Sequence, residues 1–296
     1  MSLFSKASEV ENQKNIGKIT SDKANALLKT LSGGEVKYSK KVIDNIITFT
    51  GASGGTGVST VVSNIAYLAS QKGLRILVID LNIMYPIQHI YFGAKEGALE
   101  KPDLAGFLTG KCTLGEAIES NSNKVSLLYA NNRSLMDSLN CEGDVALQNF
   151  TQAIHKLRQL FDVVIIDSPL KIENALCNTA FYLSDAIYMV WDEGIGSIAN
   201  TERIRRNMAL SGIEAYTKMY AILNKRTNIH YANYPFNKLN LELLEILPFE
   251  QDIIDSSLRS QIFCEKAASK SKNADIFYNA CLELTDKILQ NGGYIK

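Results

Sequence analysis

Residues 46–80 read IITFTGASGGTGVSTVVSNIAYLASQKGLRILVID, and the fold depends on the pattern they contain. An apolar run over 46–50 is followed by a glycine-rich turn, a helical pattern over 60–72 and a second apolar run over 75–79. Strand, turn, helix and strand in this order predict one βαβ unit, in which the two strands lie parallel.

The alternation of apolar runs and helical patterns continues along the chain. Further strands are predicted over 125–129, 163–166, 186–190 and 220–223, and further helices over 145–160 and 198–212. Most of the predicted strands are β-branched and apolar throughout, as expected where helices cover both faces of a sheet. The sequence therefore predicts an α/β fold with a doubly wound, mostly parallel sheet. Without an internal repeat or a second core set apart by a linker, residues 42–296 are expected to form one domain.

Residues 1–41 differ from the remainder in charge, because they contain eight lysines against four acidic residues. This basic arm is expected to be partly disordered, with a short helix through Leu27 and Leu28 that ends at Gly33. It is interpreted either as a solvated tail or as a docking arm for a partner or an acidic surface.

The composition excludes several classes of protein. Of the 296 residues, 46% are hydrophobic, which is typical of a globular chain. The 31 basic and 31 acidic residues balance, so bulk positive charge cannot bind nucleic acid. No apolar stretch approaches the roughly 18 residues of a membrane span, and the N-terminus lacks the apolar core of a signal peptide, so a cytoplasmic location is expected. The five cysteines form no CxxC pair, which indicates neither a zinc site nor a disulfide framework.

The turn after the first predicted strand, GASGGTGVST over 51–60, is the strongest functional signal. A glycine-rich turn between a buried strand and a helix directs backbone N–H groups inward, where they can surround phosphate oxygens. Gly51, Gly57 and Ser59 keep the spacing of the P-loop formula GxxxxGK[ST], in which the hydroxyl binds magnesium. Val58 occupies the position of the lysine that contacts the β- and γ-phosphates. The predicted nucleotide-binding residues of the loop are Gly54, Gly55, Thr56, Gly57, Val58, Ser59 and Thr60.

The stretch from Thr48 to Asn82 resembles the deviant P-loop ATPases of the ParA/MinD group, which belong to the SIMIBI class. The pattern of that group is KGGxGK[ST]T, then N-x-A, then G-x-[RK]-V-L-[LV]-I-D-x-D. Its matching residues here are Ser59, Thr60, Asn64, Ala66, Gly73, Arg75, Leu77, Ile79 and Asp80. Three further motifs follow in the order of the group: FDVVIIDSP over 161–169, AILNK over 221–225 and LPFE over 247–250.

This resemblance implies the fold of the group and a site for ATP or ADP with Mg²⁺. It implies that Ser59, Asp80 and Asp167 hold the metal, and that Asn224 and Pro248 lie beside the adenine. Asp80 and Asn82 occupy the two switch positions.

Three charged positions of the group are altered in this chain. Ser53 replaces the lysine that reaches across a dimer, Val58 replaces the P-loop lysine, and Asn82 replaces the second switch aspartate. Loss of one oriented catalytic group typically costs on the order of a hundredfold to a thousandfold in rate, so three losses predict little turnover. We therefore expect a degenerate Walker A motif and a pseudo-ATPase that binds adenine nucleotide weakly or not at all. The alternative is an active ATPase of the same group that uses a substitute lysine, either Lys225 or one from the basic arm.

The expected function is that of a positioning or partition adaptor, acting on a pilus, secretion or conjugation apparatus, or on a plasmid or chromosome. Residues 80–119 are most similar to the TadZ/CpaE-like subgroup. A protein partner, a homodimer and recruitment to a membrane-associated or polar complex are expected. Arg203 and Arg206, at i and i+3 of a predicted helix, indicate either non-specific DNA contact or a solvated basic face. An amphipathic helix is predicted over 282–296, but it is too acidic to target a membrane.

Overall fold

The computed structural model describes residues 44–93, 101–120, 125–131, 140–170, 174–210, 219–227, 236, 239, 241–266 and 272–294. The basic arm over 1–41 lies outside these residues, and so do the first two residues of the predicted domain.

Strands and helices alternate over most of the chain. The strands are β1 (Ile46–Gly51), β2 (Ile76–Asp80), β3 (Glu119–Ser120), β4 (Val125–Leu128), β5 (Val163–Ser168), β6 (Ala186–Trp191), β7 (Met219–Arg226) and β8 (Glu242–Pro248). The helices are α1 (Val58–Gln71), α2 (Gln88–Tyr91), α3 (Leu104–Leu108), α4 (Leu114–Ala117), α5 (Asp144–Leu160), α6 (Ala175–Leu183), α7 (Ile195–Leu210), α8 (Gln251–Leu258), α9 (Phe263–Lys266) and α10 (Lys272–Asn291).

The strands form one sheet in the order β3-β4-β2-β5-β1-β6-β7-β8. Every neighbouring pair is parallel except β3 with β4, which is antiparallel. All residues of β1, β2 and β5 are buried, because helices cover both faces of the sheet at its centre. The predicted α/β fold with a mostly parallel, doubly wound sheet is confirmed.

Two apolar layers enclose the sheet. On one face, α1 and α10 pack over a cluster that includes Phe49 and Tyr188, whose rings stack with centroids 5.0 Å apart. On the other face, α5 packs over a cluster that contains Phe150 and Ile166, and the buried Ile204 of α7 joins a third cluster with Trp191. The sheet is therefore held from both sides by helices that the βαβ pattern predicts.

The six predicted strands are all present, but the sequence analysis missed β3 and β8. The β8 strand is irregular against β7, with register shifts between Ala221 and Ile222 and between Leu223 and Arg226. Its buried residues Leu244 and Leu247 are consequently three positions apart, so the alternation that marks an edge strand is absent. The C-terminal helix begins at Lys272, ten residues before the predicted start at Leu282, and it ends at Asn291, directly before Gly292 and Gly293, which are predicted to stop it.

The strand order places the functional motifs at one edge of the sheet. Because β1 lies between β5 and β6, and β5 lies between β1 and β2, the carboxyl ends of these parallel strands adjoin one another. In open α/β sheets, ligands bind at this edge, where the strand order changes direction. The loop after β1, Asp80 at the end of β2 and Asp167 near the end of β5 all lie there.

Candidate functional site

The loop between β1 and α1 has the backbone of a phosphate cradle. Gly55 and Gly57 adopt positive φ values of 78° and 89°. Gly57 is the N-cap of α1, and no side chain caps this end of the helix. The N–H groups of the first helical turn are thus available to an anion, and the positive end of the helix dipole lies behind them.

Two glycines of the loop are required by close packing. A Cβ atom at Gly57 would lie 2.6 Å from Nδ2 of Asn224, and one at Gly51 would lie 2.8 Å from the Ser53 carbonyl oxygen and from Oγ1 of Thr56. No side chain fits at either position without a shift of the loop. In contrast, a Cβ atom at Gly54 would meet no atom within 4 Å.

The end of β7 holds the loop from the side. The buried Asn224 donates from Nδ2 to the Thr56 carbonyl oxygen at 2.8 Å, and Lys225 donates from Nζ to the Gly55 carbonyl oxygen at 2.6 Å. Lys225 has a φ of 58°, a conformation that non-glycine residues rarely adopt. Asn224, predicted to read adenine, therefore also fixes the phosphate loop.

Asp80 and Asp167 lie side by side because they are register partners of the parallel strands β2 and β5. Both are buried, with 0% and 5% of their surface exposed. Asp80 accepts backbone N–H groups from Asn82 at 2.9 Å, Ile87 at 2.8 Å and Gln88 at 3.0 Å. The carboxylate of Asp80 thereby fixes the segment that follows β2.

Burial shapes the electrostatics of this pair. Desolvation, followed by the charge of Asp167, raises the pKa of Asp80 to about 7, although its three backbone donors oppose the rise. Desolvation also raises the pKa of Asp167, against hydrogen bonds with the side chains of Gln88 and Ser59. None of the ion pairs among the described residues includes either carboxyl group.

Two buried carboxylates without a cation beside a serine hydroxyl form a donor set that suits a hard divalent cation. Gln88 donates to Asp167 from Nε2, and within the described part of the chain its buried Oε1 has no hydrogen-bond partner. Ser59, Asp80 and Asp167, the predicted metal residues, are therefore brought together and fit Mg²⁺. Bound there, the ion would neutralise the carboxylates and the phosphates of a nucleotide.

The altered positions of the motif make contacts of their own. Oγ of Ser53 lies 3.3 Å from Oγ of Ser197, which donates to Oδ1 of Asp192 at 2.7 Å. Val58 packs against the apolar cluster under α1. The half-buried Asn82 touches the site through its backbone N–H, which donates to Asp80.

Gln88 is a buried polar residue of the candidate site that the sequence patterns do not predict. Its side chain is 1% exposed and joins the start of α1 to the end of β5. No motif in the sequence marks this glutamine. The available signal is a polar residue among apolar ones, in the segment before Tyr91. The hydroxyl group of Tyr91 lies 3.0 Å from Oγ1 of Thr60.

The remaining predicted residues lie farther along the same elements. Pro248 ends β8 opposite Arg226, two residues after Asn224. Arg203 and Arg206 are exposed on α7, whose opposite face buries Ile204. Four of the five cysteines are buried, and none of them forms a disulfide bond with another described cysteine. Within the part of the chain that the structure covers, no helix has the length and apolar character needed to cross a bilayer.

A model of the AAA domain family, AAA_31, matches residues 44–232. The chain belongs to this family. It is 23% identical over 231 residues to the septum site-determining protein MinD of Helicobacter pylori, an alignment that covers 73% of this chain and 82% of that protein.

Solved structures share the fold. MinD of Pyrococcus horikoshii, complexed with Mg-ADP, matches with a TM-score of 0.68 at 19% identity, over 84% of this chain and 97% of that one. A putative plasmid partition protein of Borrelia burgdorferi, bound to AMPPNP, matches with a TM-score of 0.67 at 17% identity, over 82% and 99% of the two chains. The predicted resemblance to ParA/MinD P-loop ATPases is confirmed for family and fold, and the TadZ/CpaE-like subgroup stays a prediction.

Substitution of Gly57 by alanine tests the packing of the loop. Since a Cβ atom would clash with Asn224 and the φ of 89° is unfavourable for alanine, we expect Gly57→Ala to lower the free energy of unfolding by about 1–3 kcal/mol. Gly54→Ala, at an open position, should change it by less than about 0.5 kcal/mol. Urea unfolding of both variants measures this difference, and equal effects would contradict the described loop.

The raised pKa of Asp80 predicts a pH dependence of stability. A carboxyl group whose pKa is near 7 in the folded chain and near 3.8 when unfolded keeps its proton better when folded. The contribution of this group to the free energy of unfolding is present below pH 4. It is lost as the pH rises to 7, at up to about 1.4 kcal/mol per pH unit.

We expect urea unfolding without Mg²⁺ or nucleotide to show falling stability between pH 5 and pH 7. Asp167→Asn should make this fall shallower, because the charge of Asp167 contributes to the raised pKa of Asp80. A stability that rises through this range in the wild-type chain would exclude the coupled, buried pair.

Proposed function

We propose that this chain is a positioning or partition adaptor that binds adenine nucleotide with Mg²⁺ and hydrolyses it slowly or not at all. The observation that carries the proposal is the combination of an intact phosphate cradle and metal set with an apolar residue, Val58, where the cradle requires a cation. This combination is expected to allow nucleotide binding while it slows or prevents hydrolysis at the same site.

The features that support binding are geometric. The N-terminal end of α1 faces the centre of the loop. Hydrogen bonds from Asn224 and Lys225 to two carbonyl oxygens of the loop hold its backbone in place. Oriented N–H groups and Mg²⁺ together can balance much of the charge of a diphosphate or triphosphate. The solved relatives bound to Mg-ADP and to AMPPNP show that such ligands fit this fold.

The features that oppose hydrolysis are chemical. Valine can neither donate a hydrogen bond nor stabilise the charge that develops on a transferring phosphoryl group. Asn82 cannot accept a proton as a carboxylate does, and Ser53 is held by Ser197 within the same chain. Each loss is expected to slow the chemical step while leaving the nucleotide in place.

The adaptor role rests on the kind of relatives this chain resembles. One is a septum site-determining protein and another a putative plasmid partition protein, and both names describe placement within a cell. We propose that this chain likewise places a protein partner, as part of a pilus, secretion, conjugation or partition apparatus. A homodimer, contact with DNA through Arg203 and Arg206, and recruitment to a membrane-associated or polar complex belong to the same proposal.

The proposal predicts nucleotide binding without Asp167-dependent turnover. Calorimetric titration should detect ADP and ATP binding in the presence of MgCl₂. Phosphate release at saturating ATP should be the same for the wild-type chain and Asp167→Ala, because little of it comes from this site. Turnover typical of an active ATPase, abolished by Asp167→Ala, would overturn the proposal.

An active ATPase with Lys225 as the substitute lysine is the second candidate. The observation that favours it is the position of Nζ of Lys225, 2.6 Å from a carbonyl oxygen of the phosphate loop. However, this ammonium group already donates a hydrogen bond to the backbone of the loop. We therefore expect it to act mainly by stabilising the conformation of the loop.

Replacement of Lys225 separates the two candidates. Lys225→Asn keeps a residue that tolerates positive φ and removes the ammonium group, while Lys225→Arg keeps the charge. We expect Lys225→Asn to weaken ADP binding by a few-fold and to leave the low phosphate release unchanged. A loss of turnover of a hundredfold or more in Lys225→Asn, restored in Lys225→Arg, would instead favour the active enzyme.

A further inference from the structure

We propose that Gln88 is a positioning residue of the magnesium site, and this inference rests on the proposed binding of Mg²⁺ with nucleotide. In this proposal, the side-chain amide of Gln88 orients the carboxylate of Asp167, and its free oxygen accepts a hydrogen bond from a water molecule on the metal. Gln88 is thus a fourth side chain of the site, beside Ser59, Asp80 and Asp167.

The contacts of Gln88 connect three elements of the site. Its Nε2 donates to Oδ2 of Asp167 at 2.6 Å and to the carbonyl oxygen of Ser59 at 3.1 Å. Its backbone N–H donates to Oδ2 of Asp80 at 3.0 Å. One buried residue therefore contacts all three of the residues that would hold the metal.

The orientation of the amide follows from its partners. The Ser59 carbonyl oxygen can only accept a hydrogen bond from Nε2, and so can Asp167 when it is ionised, as it would be beside a metal ion. A flipped amide would direct Oε1 of Gln88 at these two oxygens and lose both hydrogen bonds, so the nitrogen and the oxygen of the amide are distinguished by the network. The oxygen is therefore the atom that remains available.

Among the described residues that oxygen has no hydrogen-bond partner, although the residue is only 1% exposed. A buried acceptor without a donor typically costs about 1–3 kcal/mol, so it needs an explanation. Oε1 belongs to the same amide group whose nitrogen donates to Asp167, so a donor bound with the metal at this carboxylate is the partner that we infer for it. Magnesium usually retains several of its waters, and these are strong donors to carboxylate and carbonyl oxygens.

A glutamine in this place affects the metal more than the nucleotide. Partners that orient a metal ligand by hydrogen bonding typically change metal affinity by about 10- to 100-fold when they are removed. Within the phosphate loop, the described hydrogen bonds of Gln88 are limited to the one with the Ser59 carbonyl oxygen. Its removal should therefore weaken the response to Mg²⁺ and leave binding of metal-free nucleotide nearly unchanged.

The test is titration of ADP into the wild-type chain, Gln88→Met and a control variant, in EDTA and at a series of MgCl₂ concentrations. Methionine keeps the length and flexibility of the side chain but lacks the donor and the acceptor. Tyr85→Ala is the control, because Tyr85 belongs to the same segment and is 74% exposed. Thermal unfolding of each variant checks that it is folded.

We expect the MgCl₂ concentration that gives half of the full effect on ADP affinity to rise about 10- to 100-fold in Gln88→Met. ADP affinity in EDTA should change less than about twofold, and Tyr85→Ala should match the wild-type chain in both conditions. An unchanged Mg²⁺ dependence in Gln88→Met, or an equal loss of ADP affinity with and without Mg²⁺, would overturn the inference.

A measurement on the wild-type chain covers the case in which Gln88→Met fails to fold. With glutamine labelled by ¹⁵N, the side-chain NH₂ signals of Gln88 should shift when Mg²⁺ is added to the ADP complex. Signals that do not respond to Mg²⁺, in a chain whose ADP affinity does, would overturn the inference and leave the proposed function intact. A wild-type chain that binds no ADP would overturn both.

Discussion

The parallel pairing of β2 with β5 places two carboxylates, Asp80 and Asp167, side by side in a buried position, and the rest of the site is arranged around them. Their mutual repulsion and their loss of water must be offset, either by protons or by a cation. Backbone donors from the segment after β2 and the amide of Gln88 offset part of this cost. The remainder of this cost is the reason why we propose that the pair binds Mg²⁺.

The phosphate loop meets this pair through Ser59, at the start of α1. Its backbone is held by the end of β7, where Asn224 approaches so closely that position 57 must be glycine. Position 58 supplies no charge, because it is a valine that packs against the apolar cluster, and the Lys225 ammonium group donates to the Gly55 carbonyl oxygen of the loop. The described residues thus preserve a loop that could bind a nucleotide by shape and dipole, while position 58 supplies no cation for the transferring phosphate.

The sequence predicted the sheet and the loop well, because both depend on local patterns. Buried strands such as β5 begin with an apolar run, here over 163–166, and the glycines of the loop mark its turn directly. The edge strand β8 was missed because its irregular pairing breaks the alternation of buried residues. Gln88 was missed for a different reason: its function depends on Asp167, which is 79 residues away in the chain and adjacent only in the folded sheet.

The central claim is that this fold keeps a nucleotide site without a lysine that acts on the phosphates. A crystal structure of the chain grown with AMPPNP and Mg²⁺ tests it most directly. We predict that the phosphates lie against the backbone of residues 54–60, with Mg²⁺ beside Ser59 and no lysine ammonium group in contact with the γ-phosphate. A lysine of this chain bound to the γ-phosphate, with a water molecule placed for attack, would contradict the claim.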